Sequence, residues 1–210
     1  MIYELRQYTM VPGRRDDFVD IFDRHFIESQ EALGIRVVGQ FRDLDRDDRY
    51  VWMRAYADMA TRERALNAFY DGPVWAEHSG AANAMMTEWH DVLLLTPAWP
   101  GSGLAHDVSK RPVKGEAVAA SKGITITIWR IEPETLASAV AAYRARAPEP
   151  LAAFRTEPSP NNYPRQPIRE NETVLVGIRR GISQAAEKLD VASDPIQVLR
   201  LAPTGRSLLR

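Results

Sequence analysis

Ile2-Tyr3-Glu4-Leu5-Arg6-Gln7-Tyr8-Thr9, then Pro12-Gly13-Arg14-Arg15, then Asp16-Asp17-Phe18-Val19-Asp20-Ile21-Phe22 read in succession as a strand, a tight turn and an amphipathic helix. Ile2, Glu4, Arg6 and Tyr8 alternate with Tyr3, Leu5, Gln7 and Thr9, so each face of the strand mixes apolar and polar groups. The helix is expected over about 14–33, because Phe18, Phe22, Phe26 and Leu33 recur on one side at helical spacing. Asp16, Asp17, Asp20 and Glu28 face away or sit near its positive end, and Gly34 caps its C-terminus.

Working outward, 35–42 and 50–57 read as a hairpin around the charged turn 43–49. Asp58 caps a helix running to Phe69, with Leu66 and Phe69 inward. Asp71-Gly72-Pro73 breaks it before a second helical stretch that carries Trp75 and His78, and 89–95 is a fourth strand. The order is β-α-β-β-α-β, the ferredoxin-like pattern. From 96 to 121 periodicity is lost under Pro97, Pro100, Gly101, Gly103, Pro112 and Gly115, the mark of a linker. A weaker copy follows: strands at 123–130, 151–155, 173–180 and 196–201, a helix led by Pro133 with Leu136, Val140 and Tyr143 on one side, and a short helix at 183–189. The expected domains are therefore 1–97, a linker at 98–121, and a degenerate second unit at 122–210. The expected fold class is α+β: two ferredoxin-like units whose four-stranded antiparallel sheets face each other as an intramolecular pseudo-dimer, a dimeric α+β-barrel in one chain. A further homodimer through strand edges or helices is part of the expectation.

Composition narrows the function. The 27 basic and 28 acidic residues leave a net charge of -1, which removes the broad attraction that nucleic acid or an anionic membrane surface requires. With 0 cysteines there is no disulfide, thiolate metal site or cysteine nucleophile, which suits a reducing cytoplasm. The first residues carry no basic region followed by an apolar stretch, so no export signal is expected. The longest uncharged run, 92–106, contains Pro97 and Pro100 and is too short and broken to span a bilayer. A cytoplasmic protein without cofactor or metal is the expectation.

No phosphate loop, dinucleotide fingerprint or His-Glu-x-x-His is present, and Gly101-Ser102-Gly103 lacks the strand-turn-helix context of a nucleophile elbow. The four histidines, His25, His78, His90 and His106, show no ligand spacing within one element. His25 lies beside the apolar stripe of the first helix, and His78 shares a helical face with Trp75, which places an imidazole next to an aromatic wall. Trp52, Arg54 and Tyr56 share one face of the third strand, and Arg6 and Tyr8 extend that row if the first strand is its neighbour. One account has these residues filling the barrel interior, with Arg6 and Arg54 satisfied by Glu4 or another carboxylate. The other has them line a cavity with an arginine directed at an anion or carbonyl. The Pro-rich 157–167 segment replaces the short turn of the first hairpin and is a candidate cover for a cavity, or a surface excursion pinned by Tyr163.

The Tyr3-Glu4-Leu5-Arg6-x-Tyr8-Thr9 start, the Pro12-Gly13 turn, Val51-Trp52-Met53-Arg54-Ala55-Tyr56 and Trp75-Ala76-Glu77-His78 together resemble the NIPSNAP domain. The resemblance spans 2–95 and implies a ferredoxin-like α+β fold; the second half is similar only to the worn partner domain of tandem members. It brings no general set of catalytic residues. Related barrel families include cofactor-free monooxygenases, haem-degrading enzymes and small decarboxylases or isomerases, whereas animal members look like mitochondrial and vesicle-associated adaptors.

Two functions follow. In the first, the chain binds a small apolar or aromatic metabolite in the helix-sheet cleft and acts as a cofactor-independent, monooxygenase-like enzyme: His78 and His25 supply the base, and Arg6, Tyr8, Trp52, Arg54, Tyr56 and Trp75 bind the ligand. In the second, it is a non-catalytic interaction module with a filled core. A cleft above about 300 Å³ separates the two.

Overall fold

The computed structural model describes the chain apart from residues 105–106, 147–149, 184–187 and 190–193. Strand β1 (Ile2–Met10) is flanked on one side by β3 (Arg49–Tyr56) and on the other by β4 (Met86–Pro97), both antiparallel. β2 (Arg36–Asp43) pairs with β3, completing the order β4-β1-β3-β2 of a ferredoxin-like unit. The second half repeats it with β5 (Ile124–Arg130), β6 (Ala152–Thr156), β7 (Val174–Arg180) and β8 (Gln197–Pro203), in the order β8-β5-β7-β6. The two sheets do more than face each other. β2 pairs with β8 through Phe41 opposite Pro203, and β4 pairs with β6 through Leu95 opposite Thr156, so the eight strands close into one barrel. Each of these eight strands has two neighbours, so among the described residues no strand edge is left free for a second copy to extend.

The barrel interior is apolar: Leu5, Val51, Met53 and Leu93 from the first half meet Ile126, Phe154, Val176 and Leu199 from the second. At the polar exception, Gln7 and Gln197 exchange side-chain hydrogen bonds of 2.9 and 2.7 Å. The outer face of the first sheet lies under helices α1 (Arg15–Ile21), α2 (Ile27–Glu31), α3 (Met59–Tyr70) and α4 (Pro73–Asn83). In the second half α5 (Leu136–Arg144) follows a 3-10 turn at Pro133–Thr135, and Tyr143 packs over the sheet against Trp129. That packing needs a glycine at 177, because an added Cβ would stand 2.1 Å from the Tyr143 hydroxyl. The helix expected at 183–189 falls on residues 184–187, outside the described residues.

Asp58 caps α3 by accepting from the Thr61 amide at 2.7 Å, and Gly34 takes the positive φ of +84° that ends the first helical segment. That segment is not one continuous α-helix. It passes through a π-helical turn at Phe22–Phe26 and ends at Glu31, leaving Leu33 39% exposed rather than inward. The cause is in the spacing. Phe18, Phe22, Phe26 and Gln30 recur every four residues, and in an ideal α-helix each such step drifts by about 40° around the axis. The wider π turn reduces the drift and keeps all four buried against the sheet.

Candidate functional site

Register decides which side chains meet. In the β1–β3 ladder Glu4 stands opposite Arg54, Arg6 opposite Trp52 and Tyr8 opposite Tyr50. The row Glu4, Arg6, Tyr8, Trp52, Arg54, Tyr56 therefore lies on one continuous face, and that face is the outer one, under the helices, not the barrel interior. Glu4 does satisfy both arginines, but as part of a cluster between sheet and helix.

Glu4, Arg6, Arg54 and a fourth residue, Arg62 of α3, are each fully buried. One Glu4 oxygen, Oε2, accepts from Arg54 Nε at 2.7 Å and Arg6 Nη1 at 2.8 Å; the other, Oε1, accepts from Arg62 Nε at 2.7 Å. Burial alone would push the Glu4 carboxyl up, but Arg54, Arg6 and Arg62 together hold it far below the usual carboxylate range. The arginines also lie over aromatic rings: Arg54 is 5.1 Å from the centre of Trp52 and 5.7 Å from that of Tyr56, and Arg6 is 5.6 Å from Tyr8 and Trp52. Arg6 Nε donates to the Tyr8 hydroxyl at 3.0 Å, and burial raises the Tyr8 and Tyr56 phenols above their ordinary range. The Trp52 indole nitrogen and the Tyr56 hydroxyl are buried without a hydrogen-bond partner.

Beside this cluster, between the sheet and the helices, is a small cavity. Tyr8, Trp52 and Gln30 belong to both, since Gln30 accepts from Arg54 Nη1 at 3.1 Å. Phe22, Phe26, Phe69, Tyr70 and Trp75 complete most of its wall. Its volume is about 30 Å³, room for roughly two waters and far below the ~300 Å³ at which ligand pockets usually begin. Trp75 lines it, packed on Tyr70 at 4.7 Å, Phe26 at 5.5 Å and Phe69 at 5.6 Å; Arg54, Tyr56 and His78 do not.

His25 and His78 come together, but outside the cavity. Their rings stack at 3.6 Å across the seam between the π turn and α4, next to the wall residues Phe26 and Trp75. Burial, with His78 as a second cause, lowers the His25 pKa. His90 is paired with Glu88 at 2.9 Å on the surface, and His106 lies outside the described residues. Among the described residues no three His, Asp or Glu side chains converge as a metal site.

Arg62 and Gln30 are the members that sequence reasoning missed. Arg62 precedes Leu66 by four residues and Phe69 by seven, and Gln30 follows Phe26 by four, so helical spacing already put both on inward faces. Asn161, Asn162 and Gln166 were equally hidden: the long loop from β6 to β7 crosses to the first half, where Asn162 donates to the Met59 carbonyl at 2.7 Å and Tyr163 stacks on Tyr70 at 5.8 Å. The Pro-rich segment is thus a cover over the first unit, with Tyr163 as its pin.

An eight-stranded antiparallel barrel, in which a β-α-β-β-α-β unit is joined by a second half that repeats its strand order, is the dimeric α+β-barrel class, here closed within a single chain. Residues 3–99 match the family model described as NIPSNAP, so the first half of the chain is similar to that domain. A candidate monooxygenase from Fusobacterium nucleatum is 11% identical, with 96% of this chain and 91% of that one covered at a TM-score of 0.57. Another from Lactobacillus acidophilus is 12% identical, with 96% and 93% covered at 0.54. An uncharacterised NIPSNAP-like domain protein from Burkholderia xenovorans is 24% identical over 46% of this chain and 84% of that one, at 0.42. The first two share the whole fold. No curated protein matches the chain. Among the described residues no helix is long and apolar enough to cross a membrane.

Proposed function

We propose that the chain binds a small aromatic or apolar metabolite carrying a polar oxygen, in the cleft between the first sheet and its helices. One observation carries this reading: an aromatic cavity whose floor, Tyr8, Gln30 and Trp52, is backed by a buried arginine cluster. The ring of the ligand lies between Trp75 and Trp52, and its oxygen points toward Arg6 and Arg54. Entry requires α4 to lift. That helix buries only Ala82, whereas α3 buries Arg62, Ala65, Leu66 and Phe69, so α4 is the wall most weakly held. The seam that opens is the one bridged by His25 and His78, which brings an imidazole base to the mouth of the cleft.

Guanidinium groups preorganised in a dry site stabilise a developing oxyanion, as cofactor-independent oxygenation of an acidic phenol requires. The monooxygenase designations of the two full-length neighbours make oxygen uptake with a phenol the first reaction to assay. Binding is tested before turnover, by titrating the tryptophan fluorescence with 2-naphthol. Saturable quenching that weakens about tenfold in Trp75→Ala, the loss of roughly 1.4 kcal/mol of ring contact, is expected. Unchanged binding in folded Trp75→Ala and Arg54→Met would sink this choice of residues.

The 30 Å³ volume favours a second reading, a non-catalytic interaction module with a filled core. Absence of naphthol quenching, together with bare subunits in native mass spectrometry, is the result that selects it.

A further inference from the structure

Three fully buried guanidinium groups, those of Arg6, Arg54 and Arg62, surround one carboxylate, that of Glu4. Among the described residues no other carboxylate is bonded to them. A lysine in such a place escapes by losing its proton; an arginine cannot, so an excess of two positive charges stays in a water-poor site. The remaining N–H groups are met by neutral oxygens or by nothing. Arg54 Nη1 donates to Gln30 as above, Arg6 Nη2 donates to Gln166 Oε1 at 2.6 Å, and Arg62 Nη1 donates to Asn162 Oδ1 at 2.7 Å and Asn161 Oδ1 at 3.0 Å. Arg54 Nη2 and Arg62 Nη2 are buried without a partner.

Three of the five neutral acceptors, counting the Tyr8 hydroxyl on Arg6 Nε, belong to one loop, and that loop comes from the other half of the chain. It is fastened to α3 by separate contacts: Asn162 to the Met59 carbonyl, Tyr163 on Tyr70, and Arg165 to Asp71 at 2.7 Å. The Arg165 pair is solvent-exposed and costs little to break. Amide oxygens thus occupy places where a negative oxygen would interact about twice as strongly.

We infer that the cluster is an oxyanion site covered by this loop, and that a small planar carboxylate or equivalent anionic oxygen takes the place of the Asn161, Asn162 and Gln166 oxygens on Arg62 and Arg6. The inference specifies the polar end of the ligand and rests on the cleft reading for the aromatic end alone. The loop is then a displaceable plug that keeps the guanidinium groups bonded while the site is empty.

The test uses the full chain and formate as the probe, exchanged for chloride at constant ionic strength, with the unfolding temperature as readout. Wild-type protein is expected to gain about 5 °C or more when formate reaches about a hundred times its dissociation constant. Asn162→Asp and Gln166→Glu each supply the missing charge from the loop itself. Both are expected to unfold at a higher temperature than wild type, and each to cut the formate shift at least by half. A formate shift equal to wild type in both variants, or a lower unfolding temperature for both without formate, overturns the inference. Naphthol quenching on the same proteins separates the two readings. Quenching that persists without any formate response refutes the anion site and leaves the cleft standing; a formate response without quenching does the reverse.

Discussion

Replacing Glu4 by Gln keeps the shape of the side chain and removes the one negative charge that three buried arginines share. The carboxylate accepts from Arg54 and Arg6 on one oxygen and from Arg62 on the other, all fully buried, so the variant leaves three uncompensated cations and turns an amide N–H toward at least one of them. Breaking a buried ion pair by removing one partner costs about 3–5 kcal/mol. For a chain of this size that is a fall of about 6–20 °C in unfolding temperature. Acid supplies a second signature. The Glu4 pKa in the folded protein lies below its ordinary 4.5, so its contribution is fully present above pH 4.5 and is lost as pH falls toward the folded value, because the unfolded chain then binds a proton that the folded one does not. In wild type this term weakens by about 1.4 kcal/mol per pH unit below that point, and in Glu4→Gln it is absent. Urea unfolding of both proteins from pH 7 down to acid measures the gap between them; the other carboxylates are common to both and cancel. The gap is expected to be largest at neutral pH and to narrow in acid. A gap below about 1 kcal/mol, or one that does not change with pH, would refute the account of Glu4 as the counter-charge of the cluster.

Gly177→Ala drives a Cβ to 2.1 Å from the Tyr143 hydroxyl and 2.6 Å from its Cζ, and is expected to cost about 1–3 kcal/mol in urea unfolding, part of it recovered when Tyr143 is also truncated. Amide hydrogen exchange should be faster in α4 than in α3, given the single buried residue of α4, and naphthol should slow it; equal protection of both helices would remove α4 as the moving wall. The His25 imidazole should titrate below its ordinary 6.5, since burial and then His78 disfavour its charge, with Glu77 opposing and Arg24 and Lys114 adding to the effect. In His78→Ala its pKa, followed by NMR, should move upward; no movement would show that the stacked pair is electrically uncoupled. Because the folded pKa is the depressed one, the stability tied to His25 is present above pH 6.5 and declines as pH falls through that value.

The β-α-β-β-α-β order was legible in the chain because its elements carry their own periods, two in 2–9 and near four in 18–30, and because Pro12-Gly13, Gly34, the charged run 43–49, Asp58 and Gly72-Pro73 mark breaks between them. The shared face of Trp52, Arg54 and Tyr56 was legible for the same reason, since strand alternation is local. What that face looks at was not. Glu4, Arg6 and Arg54 belong equally well inside a barrel or under a helix, and only the pairing of β1 with both β3 and β4, with α3 laid across them, places Arg62 on the second oxygen of Glu4. The π turn lay half-hidden in the four-residue spacing of Phe18, Phe22, Phe26 and Gln30, a pattern that an ideal helix turns away from the sheet. His25 stands out locally beside the apolar stripe of the first helix and His78, 53 positions away, by sharing a face with Trp75, and it is the packing of α4 on the π turn that stacks them at 3.6 Å. Within the charge cluster the farthest reach is that of Asn161, Asn162 and Gln166, about 100 to 160 residues from the arginines they bond. Local periodicity and turn chemistry sufficed for the elements and their order. Barrel closure and the loop crossing from one half to the other decided the charge cluster, because contacts between segments far apart in the chain leave no period in either one.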